Sequence, residues 1–180
     1  MEIINLQTKA QLDIYMNPQR QSLLRILEKS KMPRTPKDLS LELGVSASSI
    51  QYHLKKLESL GLVYMDHTAN IRGITAKYYA PTRVTVRIGG GKEDTLINER
   101  VALSRNLVAD VLDNTISTIF RPNQEKCCGD VKTGVAHLTS NQAEELQTII
   151  HEYLEKVNTP SKDTEPWEYA LMYYRIKEKQ

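Results

Sequence analysis

The chain has 180 residues, 40% of them hydrophobic and 26% charged, enough for one or two small packed cores in an ordinary globular protein. No run approaches the about 18 apolar residues of a membrane span, and "MEIINLQTKAQLDIYM" lacks the basic start and apolar stretch of a secretory leader, so the chain reads as soluble and cytoplasmic. The net charge of +2 divides unevenly: residues 1–92 hold 14 Lys/Arg against 7 Asp/Glu (+7), residues 93–180 hold 10 against 15 (−5), and the basic half suits a polyanionic partner.

Gln19 to Ser30 predicts a helix with Leu23, Leu24, Ile26 and Leu27 on its apolar face and Pro18 just before it. "KMPR" breaks it. Thr35 starts a second, short helix, with Pro36 at its first position, Asp38 completing a capping box and Gly44 as the stop. Val45 bridges a tight turn. Ser46 caps a third helix, whose apolar residues Ile50, Leu54, Leu57 and Leu60 recur at helical spacing. After Gly61 the period drops to two. "LVYMD" and "AKYYA" read as strands around a turn in "HTANIRGI", and "VTVRI" (84–88) continues the extended pattern. "GGGKED" reads as a flexible joint. Leu96 to Phe120 predicts a long helix with an apolar stripe of Ile97, Val101, Val108, Leu112, Ile116 and Ile119, broadened by Leu103, Leu107 and Val111. Residues 121–134 form a loop, "VAHL" a short strand. Thr139 caps a last helix, with Gln142 in the capping-box position. Residues 167–176 fit a strand or a helix.

Two helices joined by a tight turn and followed by a β-hairpin form the winged helix-turn-helix pattern. The DNA major groove is about 12 Å wide and admits one α-helix, so a reading helix must keep one face open along its early turns. Ile50, Leu54 and Leu57 hold the back of residues 46–60, while Ser48, Ser49, Gln51, Tyr52 and Lys55 project away. Gln pairs bidentately with adenine, Ser with several base edges, and Lys with phosphate or guanine. The hairpin carries Arg72 at its tip and Lys77 on the return strand. The candidate DNA-binding set is Thr35, Lys37, Ser46, Ser48, Ser49, Gln51, Tyr52, Lys55, Lys56, Arg72 and Lys77.

"LGVSASSIQYHLKKLESLGLV" resembles the winged-helix module of the ArsR-type transcription regulators, with their V-S-x-S-x-x-x-x-H-L-x-x-L-x-x-x-G-L-V pattern. "MNPQRQSLLRIL" is similar to the family's first helix, with Asn17 in place of Asp, and "NIRGITAKYYAP" resembles the wing of its larger members. "HLTSNQAEELQTIIHEYLEKV" is similar to their C-terminal half. The specific likeness covers about residues 15–81. It implies a homodimer that binds operator DNA and responds to a signal, which leaves room for an unidentified small-molecule effector. It places base readout at Ala47, Ser48, Gln51 and Tyr52. Ala47 has no hydrogen-bonding side chain, which shifts the weight to Gln51. Metal-sensing members carry cysteines in the helix before the turn, and "DLSLELGVS" has none, so that metal site is missing.

Weaker signals are set aside. In "GGGK" Val86 stands where a phosphate loop needs its first Gly and Glu93 where it needs Ser or Thr. His53 is expected to pack and hydrogen-bond at the edge of its helix. Cys127 and Cys128 are adjacent, which makes a mutual bridge strained, and with His137 and His151 they match no standard zinc spacing. They read as incidental thiols. No nucleophile, base and oxyanion set appears, so neither an enzyme nor a cofactor is expected.

The sequence thus predicts an α+β protein: a winged helix-turn-helix DNA-binding domain at residues 1–92 and a small α+β domain at 93–180 for dimerisation and an effector. The dimer face is expected at Ile97, Val101, Val108, Leu112 and Ile116. The expected function is sequence-specific transcription regulation as a homodimer on double-stranded DNA, with the wing (62–81) on the backbone or in the minor groove. The alternatives are a winged-helix assembly module without specific readout and a small enzyme in the C-terminal half.

Overall fold

The computed structural model describes residues 2–89, 94–121, 129–158 and 160–176. The order is β1 (Glu2–Asn5), α1 (Lys9–Met16), α2 (Pro18–Lys29), α3 (Pro36–Leu43), α4 (Ala47–Glu58), β2 (Val63–Ile71), β3 (Ile74–Pro81), β4 (Val84–Arg87), α5 (Ile97–Ile119) and α6 (Ser140–Val157). The fold is α+β, and its first half is the winged helix-turn-helix that the periodicity predicts.

The main core lies under α2, α3 and α4. Leu23, Leu27, Leu39, Leu54 and Leu57 are fully buried, with Ile50, Leu62, Val63 and Tyr79 closing around them. Each such aliphatic side chain contributes about 1.5–3 kcal/mol by leaving water. The caps come from the residues expected. The Thr35 hydroxyl accepts from the Asp38 amide while the Asp38 carboxylate takes the Thr35 N–H. Gly44 ends α3 at φ +67°, a left-handed position where a side chain is strained. Pro18 is itself the first residue of α2, behind the Asn17 cap.

The wing is longer than its sequence suggests. Residues 67–71 are strand rather than turn, and Ile71 pairs with Ile74 across Arg72 (φ 53°) and Gly73 (φ 82°). Two positive φ values mark a type I′ turn, whose twist matches that of its strands. The Asn70 side chain accepts from the Gly73 amide at 2.9 Å, so "NIRG" closes the hairpin through its outer residues. A bulge between Met65 and His67 shifts the register. Arg34 and Tyr79 exchange both backbone bonds at 2.9 Å, tying the α2–α3 connection to the wing.

Two N-terminal elements were not anticipated. β1 pairs in parallel with β4, Ile3 opposite Thr85 and Ile4 opposite Val86. α1 follows, with Thr8 and Gln11 forming a capping box and Leu12 fully buried. Leu12 and Leu6 enclose Leu103 of α5 in a second small core. Arg100 bonds the Asp94 carboxylate and the Ile88 carbonyl (2.7 Å), fastening the start of α5 to the end of β4. Residues 90–93 of the expected joint lie outside the described residues, as do Cys127 and Cys128.

The C-terminal half differs from expectation in its local structure. "VAHL" (135–138) forms no strand, and residues 167–176 form neither strand nor helix. Four residues with no neighbouring strand cannot satisfy a ladder. Residues 160–176 run without regular structure, held where Glu168 meets Arg25 at 2.9 Å and accepts from Asn114 at 3.1 Å.

Candidate nucleic-acid interface

The α3–α4 pair builds the face in question. α3 ends at Gly44, and Ser46 caps α4 by accepting from the Ser49 amide at 3.2 Å. The back of α4 is spent on the core through Ile50, Leu54 and Leu57. What remains outward is Ala47, Ser48, Gln51, Tyr52 and Lys55, all exposed, with Ser49 and Lys56 half-buried. Tyr52 is 56% exposed. The Lys56 ammonium sits 5.7 Å from the centre of that ring, within cation–π reach. Ser46 and Ser48 share a hydroxyl contact at 3.0 Å. Lys55 and Lys56 fall in the last turn, where positive charge meets the helix's partial negative end.

The other predicted residues divide. Lys37 is exposed in the first turn of α3, and Arg72 and Lys77 are exposed on the wing. Thr35 is buried, and its hydroxyl donates to Asp38 at 2.7 Å. That side chain is committed to its cap. On the wing His67 stacks on Tyr78, with centroids 4.3 Å apart and planes 10° apart, and bonds Asp66 at 2.7 Å.

Behind α4, His53 packs and hydrogen-bonds as expected, but sequence reasoning missed its partners, Gln19 and Arg20. His53 is buried beneath Tyr52, their rings edge-to-face at 5.4 Å. Its Nδ1 lies 3.4 Å from Arg20 Nη1, and its Nε2 lies 2.7 Å from Gln19 Oε1. Arg20 is buried as well. Its guanidinium donates to the Ile14 carbonyl (2.5 Å) and the Asp13 carbonyl (3.1 Å), while Gln21 donates to the Tyr15 carbonyl (2.6 Å). The orphan carbonyls at the end of α1 are thus satisfied from α2. Burial lowers the His53 pKa below the ordinary imidazole value, and Arg20 lowers it further.

Residues 17–65 match the family model described as bacterial regulatory protein, arsR family. The likeness to that family is therefore confined to the segment from Asn17 to Met65. The match spans α2 to the start of the wing, where the sequence resemblance was most specific. Among solved structures, the chain is similar to the YusO protein from Bacillus subtilis at 13% identity, covering 83% of this chain and 82% of that one, TM-score 0.37. It is similar to a MarR-family transcriptional regulator from Rhodococcus sp. at 14% identity, covering 85% and 81%, TM-score 0.35. It is also similar to the multiple antibiotic-resistance repressor (MarR) from Listeria monocytogenes at 17% identity, covering 80% and 78%, TM-score 0.32. No curated protein matches the chain. Among the described residues no helix is long and apolar enough to cross a membrane, and no group of three or more His, Cys, Asp or Glu could hold a metal ion.

Proposed function

We propose that the protein is a sequence-specific transcription regulator that acts as a homodimer in the cytoplasm, without enzymatic activity. Residues 46–60 enter the major groove, and the wing (62–81) lies along the backbone or the minor groove. The observation that carries this reading is the division of α4: a fully buried apolar back, and a front of Ser48, Gln51, Tyr52 and Lys55 that the core does not use. No hydrogen bond or ion pair within the described residues engages the Gln51 or Lys55 side chains, which leaves them available to a base edge or a phosphate. Lys37, Arg72 and Lys77 extend the basic surface. Residues 1–92 serve DNA and residues 93–180 serve dimerisation and an effector.

What the C-terminal helices leave uncovered supports the dimer. Ile97, Val101, Leu112 and Ile116 of α5 are 43–61% exposed. α6 has no buried residue over 18 positions, although Leu146, Ile149, Tyr153 and Val157 are apolar or aromatic. A second copy covers such surface and sets two α4 helices about 34 Å apart, one turn of DNA. The test pairs sedimentation at micromolar concentration with titration of the duplex enriched from a random pool against unselected duplex. A dimer that prefers the enriched duplex is expected. Equal affinity for both duplexes moves the reading to an assembly module, and a monomer on one half-site removes the dimer.

A further inference from the structure

We propose that His53 is a positioning residue of the recognition helix: its neutral ring, clasped between Arg20 and Gln19, seats α4 against the end of α1, and protonating it unseats the helix and weakens DNA binding. The DNA clause rests on the regulator reading above. The seating clause does not.

The bonding fixes the protonation state. A guanidinium can only donate, so His53 Nδ1 at 3.4 Å from Arg20 Nη1 must accept. The Gln19 Oε1 at 2.7 Å can only accept, so Nε2 carries the proton. Both bonds are made by one neutral tautomer. A second proton would go on Nδ1, where an N–H would face an N–H and two cations would lie side by side. Arg20 cannot swing away freely, because the same guanidinium holds the Asp13 and Ile14 carbonyls at the end of α1. The yielding partner is therefore the ring, and with it α4. Gln19 and Arg20 face the ring from α2, and the Asp13 and Ile14 carbonyls stand behind Arg20 from α1. Arg20 is the one charge resolved as acting on the ring. Tyr52 rests on the ring at 5.4 Å and Lys56 lies over Tyr52 at 5.7 Å, so displacement of His53 reaches the outward face within two contacts.

The sign is diagnostic. A surface histidine near phosphate gains a proton on binding, so affinity rises as pH falls. Here the neutral form is the competent one, so affinity falls as pH drops through the midpoint of the ring. Stability has the same sign: the unfolded chain takes up its proton near 6.5, the folded ring only lower. The contribution is full above that value and is lost as pH falls from it toward the folded midpoint.

The deciding experiment is a ring and amide NMR titration of the full chain without DNA, followed by affinity measurements across the midpoint it finds. The probe is the duplex enriched from a random pool, or a random duplex if none is enriched. The expected result is a His53 midpoint below 6.5, Nε2 protonated above it, and amides of Tyr52, Lys55 and Lys56 shifting with the same midpoint. Arg20→Gln removes the neighbouring cation and should raise that midpoint. On DNA, wild-type affinity should drop by up to about tenfold per pH unit below the midpoint, while His53→Gln, which retains His67, should lose this dependence. A midpoint at or above 6.5, or α4 amides indifferent to it, overturns the seating clause. So does a ring that stays neutral until the whole domain unfolds, since the group is then core and not a joint. Parallel pH profiles for wild type and His53→Gln overturn the DNA clause. Absence of DNA binding at every pH sinks the regulator reading and that clause together, and the free-protein titration still decides the seating.

Discussion

α4 and α6 are both amphipathic helices with a side-chain-capped start, yet they end up in opposite situations. α4 buries Ile50, His53, Leu54 and Leu57 within 12 residues, and α6 buries nothing in 18. The cap hydroxyls, Ser46 and Thr139, do the same local task in each. The difference lies in what the chain puts opposite. α4 has α2, α3 and the wing around it, whereas α5 fully buries only Leu103 against the N-terminal half, with Leu107 packed beside it, and leaves Ile97, Val101, Leu112 and Ile116 exposed. Local propensity can make a helix, but burial decides whether it is finished within one chain. The first half closes its main core within itself, and the second leaves much of its apolar surface exposed.

The sharpest way to break that contrast is to cut into each apolar face. Leu54→Ala removes a fully buried side chain from the main core and should cost about 2–5 kcal/mol, read as a lower denaturant midpoint with an unchanged slope. Ile116→Glu lies on a side chain that is 46% exposed, so it should leave the unfolding of the N-terminal half within about 0.5 kcal/mol. Sedimentation should nonetheless shift from dimer to monomer. If Ile116→Glu destabilises the N-terminal half as much as Leu54→Ala does, the two halves share one core and the contrast is wrong.

How much of this was legible in the sequence depended on how local the cause was. The caps at Thr35, Ser46 and Thr139 act within three residues, and all three hold. The turn at Gly44 is equally local. The wing's length was not legible, because its strands continue through Thr68, Asn70 and Thr75, polar residues that give no period-two signal on a ribbon with both faces wet. β1 has four residues and finds its partner about 80 positions later, so its cause is tertiary. α1 did leave a local sign, the Thr8–Gln11 capping box, but its single buried leucine gave too weak a period to notice. The front of α4 could be listed from spacing alone. The Arg20–His53 contact could not, since it joins residues 33 positions apart through the packing of α4 on α2.

Within the reading face the expected effects are smaller. Gln51 is exposed in the early turns of α4, the part proposed to enter the groove deepest. Gln51→Ala should cost about 1–3 kcal/mol on the enriched duplex and little on random DNA. Equal losses on both would mean that Gln51 reads no base, and would move recognition to Ser48 or Tyr52.

The smallest effect belongs to Lys56, and it separates the two lysines. Lys55 is exposed, while Lys56 is half-buried with its ammonium drawn over the Tyr52 ring. A phosphate that approaches the end of α4 meets a Lys56 charge already placed by the ring, so less freedom is lost on contact. Lys56→Ala should weaken enriched and random duplex alike and reduce the slope of log K against log salt by about 0.9, the release of one counterion. Between 50 and 200 mM salt that is only about a threefold difference in how far affinity falls. Tyr52→Leu keeps the ammonium but removes its support. If Lys56 works from the ring, this variant should weaken binding to random duplex while leaving the salt slope near its wild-type value. A slope that drops as in Lys56→Ala would mean that the lysine no longer reaches the phosphate at all, and an unchanged affinity for random duplex would mean that the ring contributes nothing to its placement.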